Sequence, residues 1–246
     1  MLYEVIMIKV IFFDLDDTLL DFKKSEAGAL KKALANAGIT PSDKMVSRYS
    51  EINQSLWKLL ELGKITRPEI LSKRFEILFD EFNIEKSIDD VKDEYENLLG
   101  TGHYFVLHAP ETLKLLYKDY DLYITSNGTA NVQRGRIKSA GIEKYFKKIF
   151  VSQKLGFVKP QREFFEACFS QMPPCRKNEV IIVGDSVSSD ILGGKNAGIH
   201  TCLYNPNSIK HTGTVKADIE ISDLIQLPEI MQYYSFDTTA NECYNN

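Results

Sequence analysis

Residues 9–18 read KVIFFDLDDT, and this stretch decides the fold. The run 9–15 (KVIFFDL) shows no polar alternation, so it predicts a strand buried on both faces, with its chemistry at the carboxyl end where the acids begin. Similar short runs recur at 121–125 (DLYIT), 148–152 (KIFVS), 179–184 (EVIIVG) and 200–204 (HTCLY). Helical segments separate them, one from the Asn127-Gly128 turn to Gly141 and another over about 189–197. Strands alternating with helices predict an α/β fold with a doubly wound parallel sheet. In such a sheet the ligand lies in the crevice beyond the strands' carboxyl ends.

Between the first strand and the second, the rhythm is purely helical. Ala27, Leu30, Leu34 and Ala37 recur at helical spacing before Gly38. Met45, Tyr49, Ile52, Leu56, Leu59 and Leu60 form a second stripe, between Ser42 as N-cap and Gly63. Thr66 and Glu69 form a capping box, with Pro68 in the first turn, ahead of a stripe of Leu71, Phe75, Leu78, Phe79 and Phe82. A fourth helix starts at Ser87, carries Val91, Tyr95, Leu98 and Leu99, and ends at Gly100. A block of this length is too long for a loop and predicts an inserted all-helical lid. The expected division is 1–20 core, 21–104 helical lid and 105–246 core, with 1–6 an upstream extension and a polar tail from about 235.

The bulk composition narrows the partners. The 246 residues are 43% hydrophobic and 26% charged, with a net charge of −4 and no long run of Lys or Arg. A nucleic acid polymer is therefore not an expected partner, because its affinity needs clustered cations. No run is long and apolar enough for a membrane span or a signal peptide. Cys168, Cys175, Cys202 and Cys243 lack metal-binding spacing, which suits free thiols in a reducing cytoplasm. The histidines His103, His108, His200 and His211 likewise lack ligand spacing.

Four strand ends deliver polar groups to one edge: Asp14 and Asp16, then Ser126-Asn127-Gly128, then Lys159, then Asp185 and Asp190. Oxygen donors without His or Cys favour Mg²⁺, which keeps waters and shares a phosphate. One carboxylate can attack phosphorus, while a second protonates the leaving oxygen and then activates water. A lysine and a hydroxyl offset charge on the transferring group. The set therefore points to phosphoryl transfer on a small phosphate ester.

FFDLDDTL (12–19), ITSNG (124–128), VKP (158–160) and VGDSVSSDILGGKNAG (183–198) resemble, in order, the four motifs of the haloacid dehalogenase-like superfamily. The helical insertion lies where that family carries its cap on a Rossmann-like core. The resemblance implies Asp14 as nucleophile and metal ligand, and Asp16 as general acid/base whose backbone carbonyl also meets the metal. It implies Asp185 as a further metal ligand, with Asp190 behind the metal shell and Thr18 shaping the turn. Ser126, with Asn127 and Gly128, would bind the phosphoryl group, and Lys159 would link phosphate and nucleophile. Dehalogenases of the family lack the second carboxylate at Asp16, and ion-pumping ATPases carry Thr there. Asp16 thus implies a Mg²⁺-dependent phosphatase or phosphomutase working through an aspartyl phosphate.

YSEINQSLWKLLELGKITRPEI (49–70) together with GDSVSSDILGGKNAGIHTCLYN (184–205) looks like the pyrimidine 5′-nucleotidase subfamily. That likeness implies nucleoside 5′-monophosphates as substrates, pyrimidines ahead of purines. Phe22, close after the first motif, Trp57, off the stripe of its helix, and Arg67 are candidate contacts to the leaving group. Arg67 and Arg74 otherwise read as solvated surface, Trp57 as a helix-packing residue and Asp17 as a turn residue. The alternatives are a sugar phosphatase or a mutase of the β-phosphoglucomutase type. From other classes come a phospho-accepting signalling domain, which would place its aspartate on a later strand, and a catalytically silent binding module.

Overall fold

The computed structural model describes residues 7–233. Residues 1–6, the polar tail and Cys243 lie outside the described residues. The chain runs β1 (Val10–Phe13), α1 (Phe22–Asn36), α2 (Asp43–Glu61), α3 (Arg67–Glu81), α4 (Ile88–Leu99), α5 (Ala109–Leu116), β2 (Asp121–Ser126), α6 (Ala130–Ser139) and β3 (Lys148–Val151). It continues through α7 (Ser152–Leu155), α8 (Arg162–Phe169), β4 (Val180–Gly184), α9 (Leu192–Ala197), β5 (His200–Tyr204), β6 (Ile219–Ile221) and α10 (Leu227–Tyr233). The six strands form one parallel sheet in the order β3-β2-β1-β4-β5-β6. The order reverses between β1 and β4, so the crevice for a ligand opens beside the end of β1.

Alternation along β1 explains why it reads as continuously apolar. Ile11 and Phe13 enter one core with Leu122, Ile124, Ile181 and Val183. Val10 and Phe12 enter another, on the opposite face, with Tyr123, Phe150, Phe164 and Ile182. Both faces are covered, so neither parity can be polar. Phe12 lies edge-on to Tyr123 at 5.8 Å, in the geometry that aromatic quadrupoles favour.

Helices α1–α4 have a third core of their own, built on Leu30, Leu34, Tyr49, Ile52, Phe75, Leu78 and Tyr95. The predicted starts are seen: Ser42 Oγ accepts from Met45 N at 3.2 Å, and the Glu69 carboxylate accepts from Thr66 N at 2.8 Å. The segments entering and leaving this helical unit are paired. Leu20 bridges Phe105, Asp21 N donates to Tyr104 O at 2.8 Å, and Val106 N donates to Leu19 O at 3.1 Å.

Several expectations need correction. The first strand stops at Phe13, because Asp14 already turns into the loop while its N–H still bonds Val183 O. Ser152 starts α7 rather than ending a strand, and the helix near 189 begins as a wide turn over Val187–Ile191. Strand β6 was not foreseen: three residues with one exposed between two buried give too short a pattern. Leu71 is only partly buried, and Ile70 takes its place in the stripe. Among the described residues no helix is long and apolar enough to cross a membrane.

Candidate active site

Strand ends bring the site together. The carboxylate oxygens of Asp14, Asp185 and Asp190 lie within 4.8 Å of one another. Lys159, 1% exposed, sits among them, and its Nζ donates at 2.7 Å each to Asp14 Oδ1, Asp190 Oδ1 and Thr125 O. All three ammonium donors are thus engaged, and the lysine is locked. Asn127 fixes its backbone by a reciprocal pair: Nδ2 donates to Lys159 O at 2.9 Å, and Oδ1 accepts from Lys159 N at 2.8 Å. The Asn127 side chain therefore positions the lysine.

Thr18 is fully buried and ties the first loop to the end of β4. Its Oγ1 accepts from Asp185 N at 3.1 Å and donates to Asp185 Oδ1 at 3.3 Å. The wide turn after β4 folds Asp190 back so that its Oδ2 accepts from Ser186 N at 3.1 Å. Gly184 makes this possible, because a Cβ there would overlap the Asp190 carboxyl group. Such i→i+5 turns are rare and occur frequently at functional sites.

Two groups that sequence reasoning missed hold Asp16. Gln133 Nε2 donates to Asp16 Oδ2 at 2.5 Å and to Ser126 Oγ at 2.8 Å, and Arg136 Nη1 pairs with Asp16 Oδ1. Arg136 also donates from Nε to Gly102 O at 3.2 Å, beside the exit from the helical unit. Both residues are buried, and they occupy positions on α6 where the stripe from Ala130 to Ile137 calls for apolar side chains. That interruption of the stripe was the available signal. The Asp16 side chain thus faces α6 and stands outside the three-carboxylate group. Ser126 Oγ accepts from Gln133 and from Gly128 N at 3.1 Å, which leaves its own O–H to donate.

Burial of these acids has electrostatic consequences. Desolvation is the largest influence on Asp14 and pushes its carboxyl up to about 8, against the pull of Lys159 and with a further rise from Asp190 and Asp16. Burial also raises Asp185 well above the usual carboxylate range, followed by the charges of Asp14 and Asp190. The same two carboxylates hold Lys159 above its ordinary value although desolvation alone would lower it. Among the described residues, the carboxylates of Asp14, Asp16, Asp185 and Asp190 have two ion-pair partners, Lys159 and Arg136, so the cations are two fewer than the carboxylates. Buried anions without counter-charges are costly, so this all-oxygen group fits a divalent cation. The metal-capable group among the described residues contains no histidine.

A cavity of about 460 Å³ opens from these acids to the helical unit. Phe22 and Trp57 line it, as do Asp16, Asn127, Gly128 and Lys159. Arg67 does not: its Nη2 donates to Asn127 O at 3.1 Å and to Ser152 Oγ at 2.5 Å, joining α3 to the core. Arg74 is 1% exposed and pairs with Glu96, so the solvated-surface expectation fails for both arginines. The physical reason is that each guanidinium meets polar partners on other elements, Asn127 O and Ser152 for Arg67 and Asn53 and Glu96 for Arg74, which sequence spacing does not display. Asp17 is the turn residue anticipated, left-handed at φ 58° with Oδ1 accepting from Phe22 N at 2.8 Å.

Comparison with known proteins matches residues 11–204 to the family model described as haloacid dehalogenase-like hydrolase. The HAD-hydrolase YfnB of Bacillus subtilis is 35% identical over 91% of this chain and 95% of its own. Its magnesium-bound crystal structure superposes with a TM-score of 0.86, covering 92% of this chain and 99% of that one. The pyrimidine 5′-nucleotidase PynA of Streptococcus pneumoniae is 36% identical over 87% of this chain and 90% of its own. The pyrimidine 5′-nucleotidase YjjG of Escherichia coli is 28% identical over 87% and 96%.

Proposed function

From the premise that this chain belongs to the haloacid dehalogenase-like hydrolases, we propose that it is a Mg²⁺-dependent phosphatase of nucleoside 5′-monophosphates, pyrimidines foremost. The observation that carries the phosphatase reading is a second carboxylate, Asp16, held by Gln133 and Arg136 on the wall of the cavity that Asp14 also lines. Asp14 attacks phosphorus and the P–O bond to the leaving group breaks as Asp16 delivers a proton to that oxygen. Asp16 then takes a proton from water, whose oxygen attacks the aspartyl phosphate and frees inorganic phosphate and Asp14. Ser126 O–H and backbone N–H groups near Gly128 bind the phosphoryl oxygens, while Lys159 keeps the Asp14 carboxylate aimed. Asp14, Asp185 and the Asp16 carbonyl would hold Mg²⁺, with Asp190 behind them, and the ion would supply charge neutralisation as phosphate approaches. Residues 21–104 serve as the cap that closes over the leaving group.

The metal has a pH signature. Asp14 has its carboxyl raised to about 8 in the folded protein against 3.8 for an unperturbed aspartate. Between those values the metal-free fold keeps a proton that the unfolded chain has lost, so metal-free stability falls as pH rises. Binding Mg²⁺ displaces that proton. The expected result is a Mg²⁺-induced rise in Tm that grows from pH 5.5 to pH 7.5 in scanning calorimetry, together with loss of turnover in EDTA. An equal rise at both pH values would contradict the carboxylate cluster as the metal site.

Substrate class is tested by kcat/KM for UMP, dUMP, dTMP, AMP, glucose 6-phosphate and β-glucose 1-phosphate at fixed Mg²⁺. Pyrimidine nucleotides are expected to lead by about tenfold, equivalent to about 1.4 kcal/mol of transition-state discrimination. A lead for a sugar phosphate would replace this reading with a sugar phosphatase or mutase.

A further inference from the structure

The helical wall of the cavity carries polar residues where its own helices repeat apolar ones. Glu26 on α1, Asn53 on α2 and Arg74 on α3 are 4%, 2% and 1% exposed, and all three border the same cavity as Asp14. Asn53 Oδ1 accepts from Trp57 Nε1 at 3.0 Å and from Arg74 Nη1 at 3.4 Å, and its Nδ2 donates to Glu26 Oε1 at 2.7 Å. An indole N–H and a guanidinium can only donate, so the amide has one orientation: carbonyl towards Trp57 and Arg74, nitrogen towards Glu26. Arg74 is held in turn by Glu96 and by the rings of Tyr49, Phe75 and Tyr95, and its buried Nε has no partner.

These groups are expensive for a cap that only needs to close. Apolar residues of similar volume would serve helix packing as well or better. The donor count shows what the cluster offers instead. The Asn53 carbonyl is saturated, but the amide nitrogen keeps one N–H, and the Glu26 carboxylate beside it, which accepts from Ser50 and Asn53, still has lone pairs to spare. A donor next to an acceptor complements a ring that presents a carbonyl next to an N–H. Phe22, Trp57, Leu99 and Val132 supply flat or apolar cavity wall nearby, which suits a planar heterocycle better than a hydroxyl-covered sugar.

We propose that Asn53 and Glu26 are the specificity residues of this enzyme, reading the carbonyl and N–H edge of a nucleobase, with Arg74 as the positioning residue that fixes the Asn53 amide. The proposal rests on the nucleotide reading of the site, and its test separates the two. Ribose 5-phosphate has the same leaving oxygen as UMP but no base, so the ratio of their kcat/KM values isolates recognition of the base. The wild-type ratio is expected to exceed tenfold, and Glu26→Gln and Asn53→Ala should each lower it at least tenfold. Glu26→Gln keeps volume and a hydrogen bond to Asn53, and so carries the test if Asn53→Ala does not fold. On the substrate side, 3-methyl-UMP lacks the N–H; the methyl group should cost wild type tenfold or more and Glu26→Gln much less. A wild-type ratio near one overturns the nucleotide reading itself. A high wild-type ratio that both variants retain overturns the assignment of Asn53 and Glu26 alone.

Discussion

Asp14→Asn is expected to lower turnover by at least about ten-thousandfold and to leave no trapped phosphoenzyme, because removing a covalent nucleophile forfeits the whole two-step path. The amide is isosteric with the carboxylate but has no charge to attack phosphorus. It still accepts a hydrogen bond from Lys159, the partner of Asp14 Oδ1 at 2.7 Å, so the fold should persist with little change in Tm. Asp16→Asn provides the contrast. It keeps the nucleophile and should still form phosphoenzyme from an ester with a phenolate leaving group, which needs little protonation. Rapid-quench trapping with labelled substrate measures both. Equal labelling of the two variants would exchange or void the roles assigned here.

Lys159→Met is expected to cost both activity and stability. The side chain is buried, and its ammonium bridges Asp14 and Asp190 with Thr125 O as third acceptor. Without it two buried carboxylates lose their cation, an imbalance worth about 3–5 kcal/mol when one partner of a buried pair is removed. Activity should fall by about a hundredfold to a thousandfold, the usual scale for deleting one preorganised electrostatic group. The stability loss has a defined pH sense. Removing the cation raises the Asp14 carboxyl further, and protonating it relieves the imbalance, so the deficit is larger at pH 7.5 than at pH 5.5. Lys159→Arg should not rescue, since a planar guanidinium cannot donate to three acceptors grouped around one ammonium nitrogen. Urea denaturation at the two pH values, alongside kcat, checks this; a variant as stable as wild type at pH 7.5 would refute the account.

The fold was legible because its signals are local. Residues 10–13 are apolar throughout because a central parallel strand has two covered faces, and the stripes of α1–α4 repeat every turn. The acids were legible because each follows a strand of that sheet. What escaped were polar residues on buried stripes. Gln133 and Arg136 on α6, Glu26 on α1, Asn53 on α2 and Arg74 on α3 all occupy core-facing positions. Their burial depends on partners that lie distant in sequence, such as Asp16 for Arg136 and Glu96 for Arg74. Periodicity registers them only as gaps, whereas a buried charge at a stripe position is costly and therefore informative. Strand β6 escaped for the opposite reason, being too short for any period to show.

The paired neck of the helical unit makes it an exchangeable cassette. Asp21 N and Tyr104 O are one hydrogen bond apart, so the host sheet spans the same short gap whatever is inserted there. A segment whose ends already meet can be replaced or lengthened without altering the host's closure. The Asp14 loop, Lys159 and the acid cluster would be inherited intact, while the inserted wall of the cavity would change. Fastenings between insert and core limit such grafting: Arg67 to Asn127 and Ser152, Arg136 to Gly102 O, Ser139 to Thr101 O, and Ser188 Oγ to Glu61 Oε2 at 3.0 Å. A transplanted insert has to carry its own equivalents of these clasps, so chemistry and selectivity in this chain can diverge at different rates.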